Sequence, residues 1–592
     1  SRAILAQPAA PAPAGEDRLM MRLAVRLGCA AALLLLSQCA ARDAADAAAP
    51  ARSDADADAV TTLWESSPAG VPKGGEFIRV RHRARYTKRT QFSVVDIGIA
   101  WMLLGTIAIV MVLFYLVNWQ DDDIRRYSWC IISATIAIFT AVLIFQGVNE
   151  FVMACLPVHE SMTFLLALNY GLFLLWFALL QLVIAVVSGA NCESGFVDLT
   201  EKVWTVADSM RSDFGAEVSQ RDVQDPVGEK SVALRDGIEV FVQKQRAKRD
   251  YRETQMKCWA TLLAHMSGFA AINAGGTLQH LELFAGTWTG ALFSVLLNQL
   301  FLHCLFYCSD KLRRQTEALD GEVDERDELS DEYVEEAEND IASLSVSFLT
   351  VQALRFSLSG TLPNREGLEE PERSVSLACI LGLYGVGLAL GIASVLLIFV
   401  FELPVIEKRP LLRRSLEIVQ NQGAMAFAWC ILWGTHWLAF RTQALEGVGG
   451  IHAMAGRIVL ALALSFSALA AVWVLDKIED LVQSRGAVNK RQLGRVINSA
   501  FAGIAVLVGF SWEHCFDGGV TAVASLTHNP AVIKLLLAIA VAIVIVPAWR
   551  QYILEREMVH RRKFEEDLQA KFVDQRPKGD YQHLTRDWEY RA

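Results

Sequence analysis

Charge is scarce in this sequence. Only 20% of its 592 residues are Asp, Glu, Lys or Arg, whereas 53% are apolar and the mean hydropathy is +0.31. That balance excludes an ordinary soluble enzyme and points to a chain solvated partly by lipid. A basic excess is lacking too: 55 Lys and Arg stand against 65 Asp and Glu, a formal net charge of −10, so nucleic acid is not an expected partner. The 11 cysteines are scattered without a C-x-x-C pair, which removes zinc ribbons and disulfide mini-scaffolds. No P-loop, nucleophile elbow, kinase set or H-E-x-x-H motif occurs. The acidic run DGEVDERDELSDE misses the spacing of an EF-hand calcium loop. No catalytic residue, metal ligand or cofactor is therefore assigned, and the chain is not expected to be an enzyme.

What is present is a series of long oily runs. A helix needs about 20 apolar residues to cross a hydrocarbon layer roughly 30 Å thick. Ten stretches qualify: 95–117, 128–148, 163–188, 258–275, 288–308, 376–402, 421–440, 455–475, 496–514 and 531–548. They are continuously apolar rather than alternating, which excludes membrane strands. The fourth is the weakest, because it carries His265 and Asn273. An eleventh, 341–359, contains Gln352 and Arg355; one arginine is too few for voltage sensing. The expected fold is an all-α polytopic transmembrane bundle of ten or eleven spans.

Charge flanking the runs sets their direction. Paired as hairpins (second with third, fourth with fifth, seventh with eighth, ninth with tenth), the inner loops 149–162, 276–287, 441–454 and 515–530 hold one base, Arg441, while the outer segments are rich in Lys and Arg. The positive-inside rule then places all four outer ends in the cytoplasm. That requires 341–359 to cross, or 376–402 to re-enter, and favours eleven spans with the carboxyl terminus inside. The basic stretch Arg79 to Arg89 conflicts with this by falling outside.

The remaining segments divide as follows. Residues 1–60 are a disordered leader with a secretory signal: Arg22 and Arg26, an apolar core from Leu27 to Leu36, then small residues. The opening SRAILAQ resembles a translated trans-spliced leader of some unicellular algae. Acids such as Asp43 and Asp46 disfavour a plastid address, so a secretory or plasma membrane is expected. Residues 61–94 are a basic pre-membrane segment, 95–190 hold spans one to three, and 191–257 are an amphipathic then basic cytoplasmic helical insertion. The hairpin 258–309 precedes the acidic cytoplasmic segment 310–340, the other spans fall within 341–549, and 550–592 form a cytoplasmic helical tail.

Polar residues at membrane depth are the candidate chemistry, since burying them unpaired is costly. His265, Asn273, Asn298, Gln299 and His303 could line a hydrated path; Gln299 and His303 share a helical face. The alternative is ordinary interhelical hydrogen bonding. The ends of the hairpins' first helices supply a candidate vestibule of Glu150, His280, Glu282, His436, Glu513, His514 and Asp517, suited to an inorganic cation or proton. Interfacial placement is the competing explanation. Gly387 and Gly391 read as a helix-packing pair rather than a dinucleotide fingerprint. The sequence thus points to a transporter or channel-like protein for a small ion or solute, against a scaffold or receptor-like protein recruiting cytoplasmic partners.

Overall fold

The computed structural model describes residues 94–156, 161–189, 229–320, 325–369, 374–400, 406, 409–446, 450–451, 453–484 and 490–574. The expected signal sequence, the basic segment before residue 94 and most of the amphipathic half of the first insertion lie outside the described residues. By its internal contacts the chain divides into residues 1–100 and 101–592. Of the first unit only the opening turns of one helix are described, and the account below concerns the second.

Among the described residues there is no strand. In chain order the helices are α1 Val94–Val117, α2 Asp122–Cys155, α3 Met162–Ser188, α4 Glu229–Gln279, a short α5 Glu282–Ala285, α6 Trp288–Asp320 and α7 Glu325–Ser359. There follow α8 Leu377–Val400, α9 Pro410–Arg441, α10 Met454–Ser484, α11 Lys490–Ala524, α12 Pro530–Ala548 and α13 Glu555–Asp574. Local chemistry marks their ends. The Asp121 carboxylate accepts from the Asp123 amide to start α2, proline opens α9 and α12 where its missing N–H is harmless, and Gly189 ends α3 in the left-handed region. Pro547 removes an amide donor inside α12, and a π-helical turn, Trp549–Leu554, follows directly before α13.

Nine of these helices, α2, α3 and α6 to α12, are long and apolar enough to cross a membrane. The chain is a multi-pass integral membrane protein. Leu381, Leu388 and Leu396 on α8 and Ile543 and Val544 on α12 are exposed, as lipid-facing residues must be. The innermost of the nine is α7, which runs from the acids at 325–340 through 341–359 without a break. The run 258–275 within α4 is not among the nine. Cys258, Ala264, Ser267, Ala271 and Ala274 are wholly buried there, so its surroundings are protein rather than lipid, and the polar residues that depress its hydropathy are tolerated.

Packing follows chain order only in part. The closest partners of α2 are α11 and α12, α3 and α7 both lie against α4, and α9 packs on α8, α7 and α11. Of the four hairpins expected from sequence, two lack a packed interface, since α2 scarcely touches α3 and α9 scarcely touches α10, whereas α4 meets α6 and α11 meets α12. The large side chains point elsewhere. Tyr127 of α2 stacks on Phe501 of α11 at 3.9 Å, and Trp429 of α9 sits edge-on to Phe348 of α7 and Phe510 of α11 at 5.0 and 4.6 Å while donating to Ser347 Oγ at 3.1 Å. Such contacts fix neighbours that loop length alone does not.

Candidate functional site

Ionic contacts gather at both ends of the bundle and differ in kind. At the end bearing the amino terminus of α7, Glu338 is fully buried and takes the Arg313 guanidinium at 3.1 Å and that of Arg414 at 2.5 Å. Arg313 also reaches Asp331 at 2.8 Å, Arg414 reaches Glu335 at 3.4 Å, and Lys257 holds Glu336 at 2.6 Å. Helix α13 is tied in through Lys563 with Asp122 at 2.8 Å and Arg562 with Asp250. The acidic stretch expected to be solvated is thus partly enclosed after residue 332: Val334, Ala337 and Glu338 are buried, and its acids join α4, α6 and α9 to α7.

At the opposite end, Arg355 near the last turns of α7 is 1% exposed. It donates to Glu369 at 3.0 Å and to the Gly367 carbonyl at 2.6 Å, and its guanidinium lies 4.3 Å from the Trp433 ring centroid and 5.4 Å from that of Trp437. Trp437 donates to the same Glu369 oxygen at 2.9 Å. Gly367 has φ +86° and its Cα faces Trp433 so closely that any side chain would collide, which folds the 360–369 segment back over the bundle. A second grouping centres on Lys534 of α12, 3% exposed, which pairs with Glu150 of α2 and with Asp517 of α11 at 2.6 Å. Glu513 accepts from Gln146 at 2.9 Å.

Between these groupings lies a cavity of about 40 Å³, walled by Trp433, His436, Arg457, Ser511 and His514 with apolar neighbours including Leu432 and Leu460. At roughly 10–15 Å³ per water-sized occupant, it holds about three. Arg457 donates to the His514 carbonyl at 3.2 Å and has no carboxylate within ion-pair distance among the described residues. His514 Nε2 is buried with no hydrogen-bond partner.

Of the seven vestibule residues expected from sequence, Glu150 and Asp517 meet on Lys534, Glu513 lies one turn from Asp517, and His436 and His514 line the cavity. His280 instead bonds the Gly276 carbonyl of its own helix at 2.7 Å, and Glu282 is exposed at the start of α5. The five depth residues fall into three places. His265 bonds the Thr261 carbonyl at 2.7 Å. Asn273 donates to Asn169 at 3.4 Å and Asn149 at 3.5 Å, and Asn298 accepts from Tyr170 at 3.1 Å, forming a polar layer across α2, α3, α4 and α6. Gln299 and His303 join at 3.0 Å, and Gln422 of α9 donates to Gln299 at 2.8 Å. Gly387 faces Cys430 of α9, where an added Cβ would stand 2.6 Å from Cys430 Cβ, and Gly391 faces Phe427.

Arg355, Glu369, Arg457, Lys534 and Gln422 escaped the sequence reading as site residues. Their signal was available for three of them: Arg355, Lys534 and Arg457 are isolated bases within apolar runs, away from the Lys- and Arg-rich flanks. Cys155 and Cys515 are both free thiols. Among the described residues no three His, Cys, Asp or Glu side chains converge as a metal site would require. Compared with protein-family models, curated proteins and solved structures, the chain finds no match.

Proposed function

We propose that the protein transports a small ion or solute across a membrane, with the cavity between Trp433, Arg457 and His514 as part of its path. One observation carries this reading: the Arg457 guanidinium lines a cavity within a helical bundle, where charge is expensive and ordinarily tied to substrate or ion movement. Eleven crossings are supported by α7 joining the two ends, since Glu338 meets Arg414 at one and Arg355 meets Glu369 at the other. We assign the Lys- and Arg-rich end to the cytoplasm, with the acidic and basic insertions there, and place the protein in the secretory system or plasma membrane.

The test is reconstitution into liposomes with ion and pH flux measured for wild type, Glu513→Gln and His303→Ala. Transport predicts flux in the wild type and a reduced rate in at least one variant; no flux for any common ion overturns it. The second reading, a scaffold recruiting cytoplasmic partners, is favoured by the tight packing of α4 and α7, where Ala264 and Ala271 of α4 and Ala342 and Leu344 of α7 are buried.

A further inference from the structure

Two features of the cavity specify the sign of its occupant. The first is Arg457, whose only hydrogen bond to described residues is the one to the His514 carbonyl. Guanidinium carries five N–H donors in a fixed fork, so most of them are left for something other than protein. The nearby carboxylates are committed elsewhere: Asp517 is paired with Lys534 at 2.6 Å, and Glu513 receives Gln146 at 2.9 Å. The second is His514, which lines the same cavity and whose Nε2 is shut off from solvent and meets no partner. A buried ring nitrogen without a hydrogen bond is costly and calls for a ligand or ordered solvent. Ser511, one turn before, spends its hydroxyl proton on the Val508 carbonyl of its own helix at 2.8 Å, so the donors left to the cavity are those of Arg457 and His514. The guanidinium has room because residue 518 is glycine: an added Cβ would stand 2.9 Å from Arg457 Nη1.

We propose that this cavity binds a small monovalent inorganic anion of the size of chloride or nitrate, held by the Arg457 guanidinium and a hydrogen bond from His514 Nε2–H, with the Trp433 ring as an apolar wall. The volume of about 40 Å³ admits such an ion and excludes an amino acid, sugar or nucleotide. A cation is disfavoured at this point because the one full charge on the wall is itself positive. This inference deepens the transport reading and rests on it, but binding and movement are separable by experiment.

The full chain, purified in detergent, is titrated with sodium chloride or sodium nitrate against sodium gluconate at constant ionic strength, and thermal unfolding is followed. The expected result is a saturable rise in unfolding temperature with either small anion, unaffected when sodium is exchanged for potassium or choline. Arg457→Gln abolishes the rise, and His514→Phe, which keeps the ring and loses the donor, raises the half-saturating concentration about tenfold or more. Should Arg457→Gln fail to fold, Gly518→Ala, which displaces the guanidinium, supplies the same comparison. A rise that follows the cation, no saturable anion effect, or an anion effect unchanged in the variants overturns the proposal. Saturable anion binding without liposome flux sinks the transport reading and keeps the site; cation flux without anion binding does the reverse.

Discussion

The two ends of the bundle use arginine differently. At the end of Glu338, guanidinium groups are matched to carboxylates from other helices, so that Arg313, Arg414 and Lys257 hold α4, α6 and α9 on α7. At the other end Arg355 is matched in the same way by Glu369, but Arg457, a few residues into α10, is not. Removing one partner of a buried pair leaves an uncompensated charge and is strongly destabilising, whereas an unmatched cation beside a cavity contributes nothing to folding until something binds there. The contrast separates side chains that build the bundle from one that is free to act.

That separation can be broken by substitution. The largest effect is expected for Arg355→Leu, which strands Glu369 among Trp433, Trp437 and Leu368: a loss of about 3–5 kcal/mol in denaturant unfolding, most of it recovered in the double variant with Glu369→Leu. If the single variant is neutral, Arg355 does not hold the 360–369 segment. Glu338→Leu is expected to cost less, about 2–3 kcal/mol, because Arg313 keeps Asp331 and Arg414 keeps Glu335. Gly387→Leu should cost about 1–3 kcal/mol by forcing α8 off Cys430, read from the same unfolding curves. The smallest change belongs to Gln422→Leu: its bond to Gln299 is worth about 0.6 kcal/mol if it is ordinary interhelical glue. A loss several times larger would show that Gln299 and His303 belong to a coupled network.

Legibility from sequence followed the physics of each feature. The oily runs were plain, because lipid demands about 20 apolar residues in a row. The helix 341–359 was harder to read, since it is encased by protein and carries Ser343, Ser345, Ser347 and Gln352 in place of an oily exterior. Neighbours in space were legible only in part, where helices consecutive in the chain pack together, as α3 on α4 and α8 on α9. The expectation of hairpins came from loop length and charge, yet α2 buries Tyr127 against Phe501 and α9 buries Trp429 against Phe510, residues hundreds or tens of positions away in the chain. The vestibule was legible as a set of helix ends, but not its basic members. The sequence reading saw its acids and histidines, but not Lys534, which pairs with Glu150 and Asp517, nor Arg457, which lines the cavity beside His514.

The central claim is that these ends lie on opposite sides of a lipid sheet. In a cysteine-free background, single cysteines are placed at Leu283→Cys and Leu526→Cys, 81% and 85% exposed at the cavity end, and at Lys563→Cys at the other. They are then probed in sealed vesicles with a thiol reagent that cannot cross the membrane. The account predicts that the first two label together from one side and the third only from the other; labelling of all three from the same side would contradict it.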